Sequence, residues 1–143
     1  MELARNSSSA VTILFVEDDH DTMEILQILM ARKFPDVRIH QAENGELGVS
    51  LCRENVFDIV ITDINLPGID GICMAREIKS MKPDTKFIVL SGYNEKSYLN
   101  KLDDLGITDF MVKPIDTNIL FKLIENRVKQ VLRERYNPSL LIH

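Results

Sequence analysis

Residues 57–71 read FDIVITDINLPGIDG. From Phe57 to Thr62 the side chains are almost continuously apolar, and the run ends on Asp63. Such a run suits a strand covered on both faces. Two others resemble it: ILFV within Val11 to Val16, and FIVL from Phe87 to Leu90. Val37 to His40 and Ile107 to Val112 complete a set of five.

Helical periodicity fills the gaps. Leu26, Met30 and Phe34 recur in steps of four, with Ile25 and Leu29 beside them. Leu47 and Leu51 follow, with Gly48 and Cys52 as small neighbours, and then Ile72, Ala75 and Ile78. A weaker, more polar helix covers Tyr98 to Leu105, and a fifth begins near Asp116, a plausible N-cap. Strand and helix alternate five times, which predicts a parallel sheet with helices on both faces. Right-handed crossovers leave few topologies open.

Composition narrows the function. A chain of 143 residues, 45% hydrophobic and 27% charged, fits one globular domain with its own core. No apolar run approaches the roughly 20 residues that span a bilayer. Met1 to Ser9 lacks the apolar core of a signal peptide, so residues 1–10 read as a disordered lead-in and the expected address is cytoplasmic. A net charge of −5 disfavours direct contact with nucleic acid. The late basic run Lys122, Arg127, Lys129, Arg133 and Arg135 alternates with Glu125 and Glu134, as on a solvated helix face. Cys52 and Cys73 form no CxxC, and His20, His40 and His143 form no metal motif. Both thiols are expected to be buried.

Doubly wound sheets bind ligands beyond the carboxyl ends of their strands. After the first run come Glu17 and Asp18, with Asp19 behind them. Asp63 follows the third, Ser91 the fourth and Lys113 the fifth. Singly, each has an ordinary explanation: acids in turns cap helices or bind backbone amides. Together they put three acids, a hydroxyl and an ammonium on one rim. Crowded carboxylates repel, and a divalent cation removes the conflict. Hard oxygen ligands favour Mg²⁺. Asp18 and Asp63 can ligate directly, with a backbone carbonyl just after Asp63, and Glu17 can hold a metal-bound water. Asp63 is then the nucleophile toward a phosphoryl donor, while Lys113 and Ser91 meet the transferred oxygens.

These residues carry a family resemblance. ILFVEDDHDTM, DIVITDINLPGIDG with Pro67 four residues after Asp63, IVLSGY and DFMVKP stand in the order and spacing of the receiver domain of two-component response regulators. The chain resembles that family over about Val11 to Val128. The resemblance implies a flavodoxin-like (βα)5 sheet of order 2-1-3-4-5 in a receiver domain at 11–130. It implies transfer from a phosphohistidine on a partner kinase, or from a phosphotransfer protein, to Asp63. It makes the acidic pair Glu17 and Asp18, gives Mg²⁺ the backbone carbonyl of Asn65, and makes Lys113 the phosphoryl-binding cation. It also makes Ser91 and Phe110 switch residues, Asn65 and Tyr93 tuners of phosphoryl lifetime, and the Lys113–Pro114 bond cis. Phe110 replaces a frequent tyrosine, so its switching would rest on packing alone.

Two other readings compete. A Mg²⁺-dependent phosphohydrolase would also use Asp63, but such enzymes often carry a general acid two residues on, where this chain has Asn65. A degenerate receiver would act only by interaction, yet every matched position keeps usable chemistry. The output is expected on the surface of the fourth helix, fifth strand and fifth helix. Leu120, Ile124, Val128, Leu132 and Tyr136 form a stripe in steps of four. A helix from Thr117 to Tyr136 is roughly 30 Å long against strands of roughly 17–20 Å, so its last turns are expected to overhang the sheet. Pro138 would end it. Residues 131–143 therefore read as an extended helix and tail, serving a homodimer contact or a link to an effector domain.

Overall fold

Each apolar run becomes a strand in the computed structural model, which describes residues 10–92 and 96–136, the side chains of Lys96 and Ser97 excepted. The strands are β1 (Thr12–Val16), β2 (Arg38–Ala42), β3 (Ile59–Asp63), β4 (Lys86–Ser91) and β5 (Asp109–Val112). They pair in parallel in the order β2-β1-β3-β4-β5, a flavodoxin-like sheet. The helices between them are α1 (His20–Lys33), α2 (Gly45–Glu54), α3 (Gly71–Met81) and α4 (Lys96–Asp104), and α5 (Thr117–Tyr136) follows β5. The lead-in up to Ser9, Tyr93, and the tail from Asn137 with Pro138 lie outside the described residues.

Strand alternation splits the core in two. Ile13 and Phe15 of β1, Ile59 and Ile61 of β3, and Ile88 and Leu90 of β4 pack with α1 and α5. Leu14, Val16, Val60 and Val89 point the other way, toward α2, α3 and the end of α4. All five residues of β3 are buried, as its position between β1 and β4 demands.

Helix orientation departs from the sequence reading at three places. Ile25 is 58% exposed, because α1 buries Met23, Leu26 and Met30 instead. On α2 the buried face is Gly45, Gly48, Val49 and Cys52, while Leu47 is exposed. The small residues win because the helix comes close: a Cβ on Gly48 would lie 2.8 Å from the Met74 sulfur, and one on Gly45 2.8 Å from the Ile69 carbonyl oxygen. On α3, Ile72, Ala75 and Ile78 are buried as expected, but Cys73 points to solvent between Ile72 and Met74. Only Cys52 is a buried thiol, and burial pushes its pKa up to about 11.

The end of α5 differs as well. Asp116 caps its start, its carboxylate accepting from the N–H of Asn118 at 3.0 Å and of Ile119 at 3.3 Å. The last turns do not overhang; they are stapled to the amino edge of the sheet. Arg135 Nη2 lies 3.0 Å from both oxygens of Asp58, which also accepts from the Thr12 N–H at 2.9 Å. Lys86 Nζ lies 2.7 Å from Glu134. Burial opposes the charge of Glu134, but hydrogen bonds from Lys86 and Gln130 hold its carboxyl below the ordinary value. The loops below the strands add a layer that the strand lengths alone omit. Arg127 faces Asp109 at 3.2 Å, so only part of the basic run is a free solvated face. Val131 is buried where the step-of-four stripe placed Val128 and Leu132, which are half-buried.

Asp58→Ala removes the acceptor of the Thr12 amide and the carboxylate that pairs with Arg135 and should cost about 2 kcal/mol in urea unfolding; Arg135→Ala should cost about 1. Equal midpoints for wild type and Asp58→Ala would mean the staple holds nothing. Iodoacetamide at pH 8 should modify one thiol in the folded chain, Cys73, and two in denaturant. Prompt labelling of Cys52 in the folded chain would contradict its burial.

Candidate functional site

At the carboxyl edge the ladder continues one residue past β1, β3 and β5. Glu17 N–H donates to the Ala42 carbonyl at 3.0 Å, Ile64 N–H to Leu90 at 3.0 Å, and Lys113 N–H to Ser91 at 2.7 Å. The residues that close β1, β3 and β5 are thus fixed in register. The Lys113–Pro114 bond is cis.

Ligand oxygens of Glu17, Asp18 and Asp63 all lie within 4.8 Å of one another. Glu17 and Asp63 are buried and Asp18 is exposed, so the cluster opens to solvent on one side. Lys113 Nζ lies 2.6 Å from Asp63 Oδ2 and 3.4 Å from Glu17 Oε1. The other Asp63 oxygen accepts from the Asn65 N–H at 3.0 Å, and Glu17 Oε2 accepts from the Asp19 N–H at 3.2 Å. Burial raises the Glu17 pKa, against the pull of the Asp19 amide and the Lys113 ammonium. Burial opposes the Lys113 charge, but Asp63 and Glu17 overcome it and raise that pKa too.

The structure thus brings Glu17, Asp18, Asp63 and Lys113 together. Asp19 stands apart: it is the N-cap residue of α1 and accepts from Thr22 Oγ1 at 2.6 Å, which lowers its pKa. Ser91 ends β4 and is fully buried. Asn65 is exposed in the loop after β3. Phe110 lies within β5, half-buried, in a cluster that includes Tyr98 and Leu105 on the α4 side. Tyr93 lies outside the described residues. Sequence reasoning does not single out Gly71, whose amide donates to the Ile64 carbonyl at 2.8 Å. Its only signal is a glycine at a helix start eight residues after Asp63.

Residues 13–125 match the family model of the response regulator receiver domain. The chain belongs to that family. The receiver domain is 34% identical over 134 residues to a cyclic di-GMP phosphodiesterase of Thermotoga maritima, covering 91% of this chain and 35% of that protein. It is 30% identical over 138 residues to the sensor kinase CckA of Brucella abortus, covering 94% of this chain and 14% of the kinase. The chain therefore spans about a third or less of these curated relatives. Among solved structures, the N-terminal domain of an uncharacterized protein from Wolinella succinogenes superimposes with a TM-score of 0.80 at 34% identity, over 87% of this chain and 99% of that one. A CheY-like receiver domain protein from Methanospirillum hungatei shares the fold at a TM-score of 0.80 and 20% identity, over 87% and 98%. The family is regulatory. No helix among the described residues is long and apolar enough to cross a membrane.

The donor set of the receiver domain fits a hard divalent cation. It offers carboxylate oxygens alone, converging and partly buried, with more negative charge than Lys113 neutralises. In chelator, Glu17→Gln should raise stability at pH 7, because the folded state disfavours the ionised Glu17. A folded pKa above 4.5 means stability is lost as pH rises through that folded value, so the gain should shrink below pH 4.5. Urea midpoints at the two pH values test this; a loss of stability at pH 7 would contradict it.

Proposed function

We propose that this receiver domain accepts a phosphoryl group on Asp63 from a histidine kinase or phosphotransfer protein, with Mg²⁺. The observation that carries the reading is the Asp63 carboxylate, held by Lys113 and the Asn65 amide within an otherwise all-acid cluster. Glu17, Asp18, Asp63 and the backbone carbonyl of Asn65 would hold the cation. Bound there, Mg²⁺ supplies positive charge against the oxygens of the transferring group.

The chain's own residues do the rest. An Asp63 oxygen forms the new O–P bond as the P–N bond to the donor imidazole breaks, and the imidazole keeps the electron pair. Lys113 is placed to move from the Asp63 carboxylate to a phosphoryl oxygen. Ser91 Oγ donates to another. A macromolecular donor has somewhere to rest: Ile25 and Ile28 expose an apolar face on α1. Beside it Thr22, Ile25, Leu26 and Ile115 line a groove of about 320 Å³ that reaches Lys113.

Consequences follow the chain away from Asp63. Ser91 leads into α4, and Lys113 joins β5 to α5, so phosphorylation shifts the α4–β5–α5 surface with Phe110 as the packing element. As the family resemblance implies, Asn65 and Tyr93 would tune the lifetime of the phosphoryl group. That surface and the segment after α5 would serve a homodimer or an effector domain. The acidic surface argues against direct nucleic-acid contact, and the site of action would be the cytoplasm.

Acetyl phosphate with Mg²⁺ should add one phosphoryl group per chain by intact-mass spectrometry, and Asp63→Asn should add none. Label on Asp63→Asn would sink the assignment. Amide exchange of α4, β5 and α5 should change with beryllofluoride; identical exchange there would remove the proposed output surface.

A further inference from the structure

The loop from Ile64 to Asp70 carries Asn65 and returns to α3 at Gly71. Two amides converge on one acceptor in that loop. The Leu66 N–H donates to the Ile64 carbonyl at 3.1 Å, closing a three-residue γ-turn centred on Asn65. The Gly71 N–H donates to the same carbonyl at 2.8 Å. Gly71 is buried, and the backbone of β3 lies directly against its α-carbon. A Cβ built there would stand 2.4 Å from the Asp63 carbonyl oxygen and 2.8 Å from Ile64 Cα. Carbon and oxygen settle at roughly 3.3 Å or more, so the two backbones would have to part by roughly 1 Å.

Neither contact can be relieved by turning a side chain, because both neighbours are backbone. The displaced atoms are those that set the site: Asp63 ends β3, and the Asn65 carbonyl lies one peptide beyond Ile64. We propose that Gly71 is a positioning residue for the divalent cation: its missing side chain lets α3 seat on the Asp63–Ile64 backbone, and its amide braces the turn that presents the Asn65 carbonyl. The inference rests on the reading that Asn65 and the three carboxylates bind Mg²⁺. The Asn65 carbonyl belongs to the same peptide group as the Leu66 N–H. A cation drawing on that carbonyl polarises the Leu66 N–H and strengthens its bond to Ile64. The Gly71 N–H, sharing the acceptor, must respond.

The test compares wild type, Gly71→Ala and Ile72→Val, the last being a packing control on the same helix that leaves the turn intact. Each full chain is titrated with Mg²⁺ by calorimetry, and phosphorylation by acetyl phosphate is followed against Mg²⁺ concentration. Gly71→Ala should raise the half-saturating Mg²⁺ about 10-fold or more, with the phosphorylation rate largely recovered at saturating Mg²⁺; Ile72→Val should stay near wild type. Equal Mg²⁺ affinity in Gly71→Ala and Ile72→Val would overturn the proposal while leaving the phosphoacceptor reading intact. No Mg²⁺ binding by wild type would overturn both. If Gly71→Ala does not fold, wild-type amide spectra decide. The Leu66 and Gly71 resonances should move with Mg²⁺ at the same midpoint as Asn65; their standing still while Asn65 moves would overturn the proposal.

Discussion

Three carboxylates converge at one edge of a parallel sheet, and among the described residues one ammonium, that of Lys113, answers them. Lys113 reaches Asp63 at 2.6 Å and Glu17 at 3.4 Å, which leaves the cluster acidic. Much of the architecture serves that arrangement. β3 must be buried throughout so that its terminal aspartate emerges at the rim and nowhere else. β1 must lie beside it so that Glu17 and Asp18 arrive from the adjacent strand end. β5 lies two strands away, and only a long side chain such as lysine spans the gap over β4. Burial already disfavours the Glu17 charge, a cost that a bound cation would relieve.

What the sequence made legible was whatever depends on period and order. Five apolar runs gave five strands, and the edge they end on gathered the acids and the lysine. Local chemistry was legible too, as with the Asp116 cap. What stayed hidden was set by how closely helices approach. Leu51 packs half-buried against the core as its hydrophobicity suggests, yet Leu47 is exposed, because Gly45 and Gly48 decide the rotation of α2 by letting α3 and Ile69 come near. Cys73 is hydrophobic by type but falls between two inward positions of α3. The reach of α5 depended on loop residues below the sheet, chiefly Asp58, which sits inside an apolar run and looked incidental.

The two edges of the sheet do opposite work. At the amino edge, Arg135–Asp58 and Glu134–Lys86 tie the last turn of α5 to the starts of β1, β3 and β4. These pairs have matched charges and amide donors, so they can lock. At the carboxyl edge charges are unmatched, and the groups there gain from a ligand that completes them. A change made at the carboxyl edge therefore meets a helix whose far end is fixed. Under that constraint, α5 can answer by tilting or by repacking its first turns more readily than by sliding along its axis, since sliding breaks both pairs.

Packing around the loop after β3 extends the same logic. Gly71 has the Asp63 carbonyl against its α-carbon, and Gly68, at a φ of +79°, has the Glu46 carboxylate where a side chain would go. Gly45 is pressed on Ile69. The loop is thus held at α3 by backbone against backbone, and at α2 by the Glu46 carboxylate and by Ile69 on Gly45. The Gly71 contact has no rotamer to absorb displacement. Glycine here is a means of precision: it removes the one atom that would keep two backbones apart.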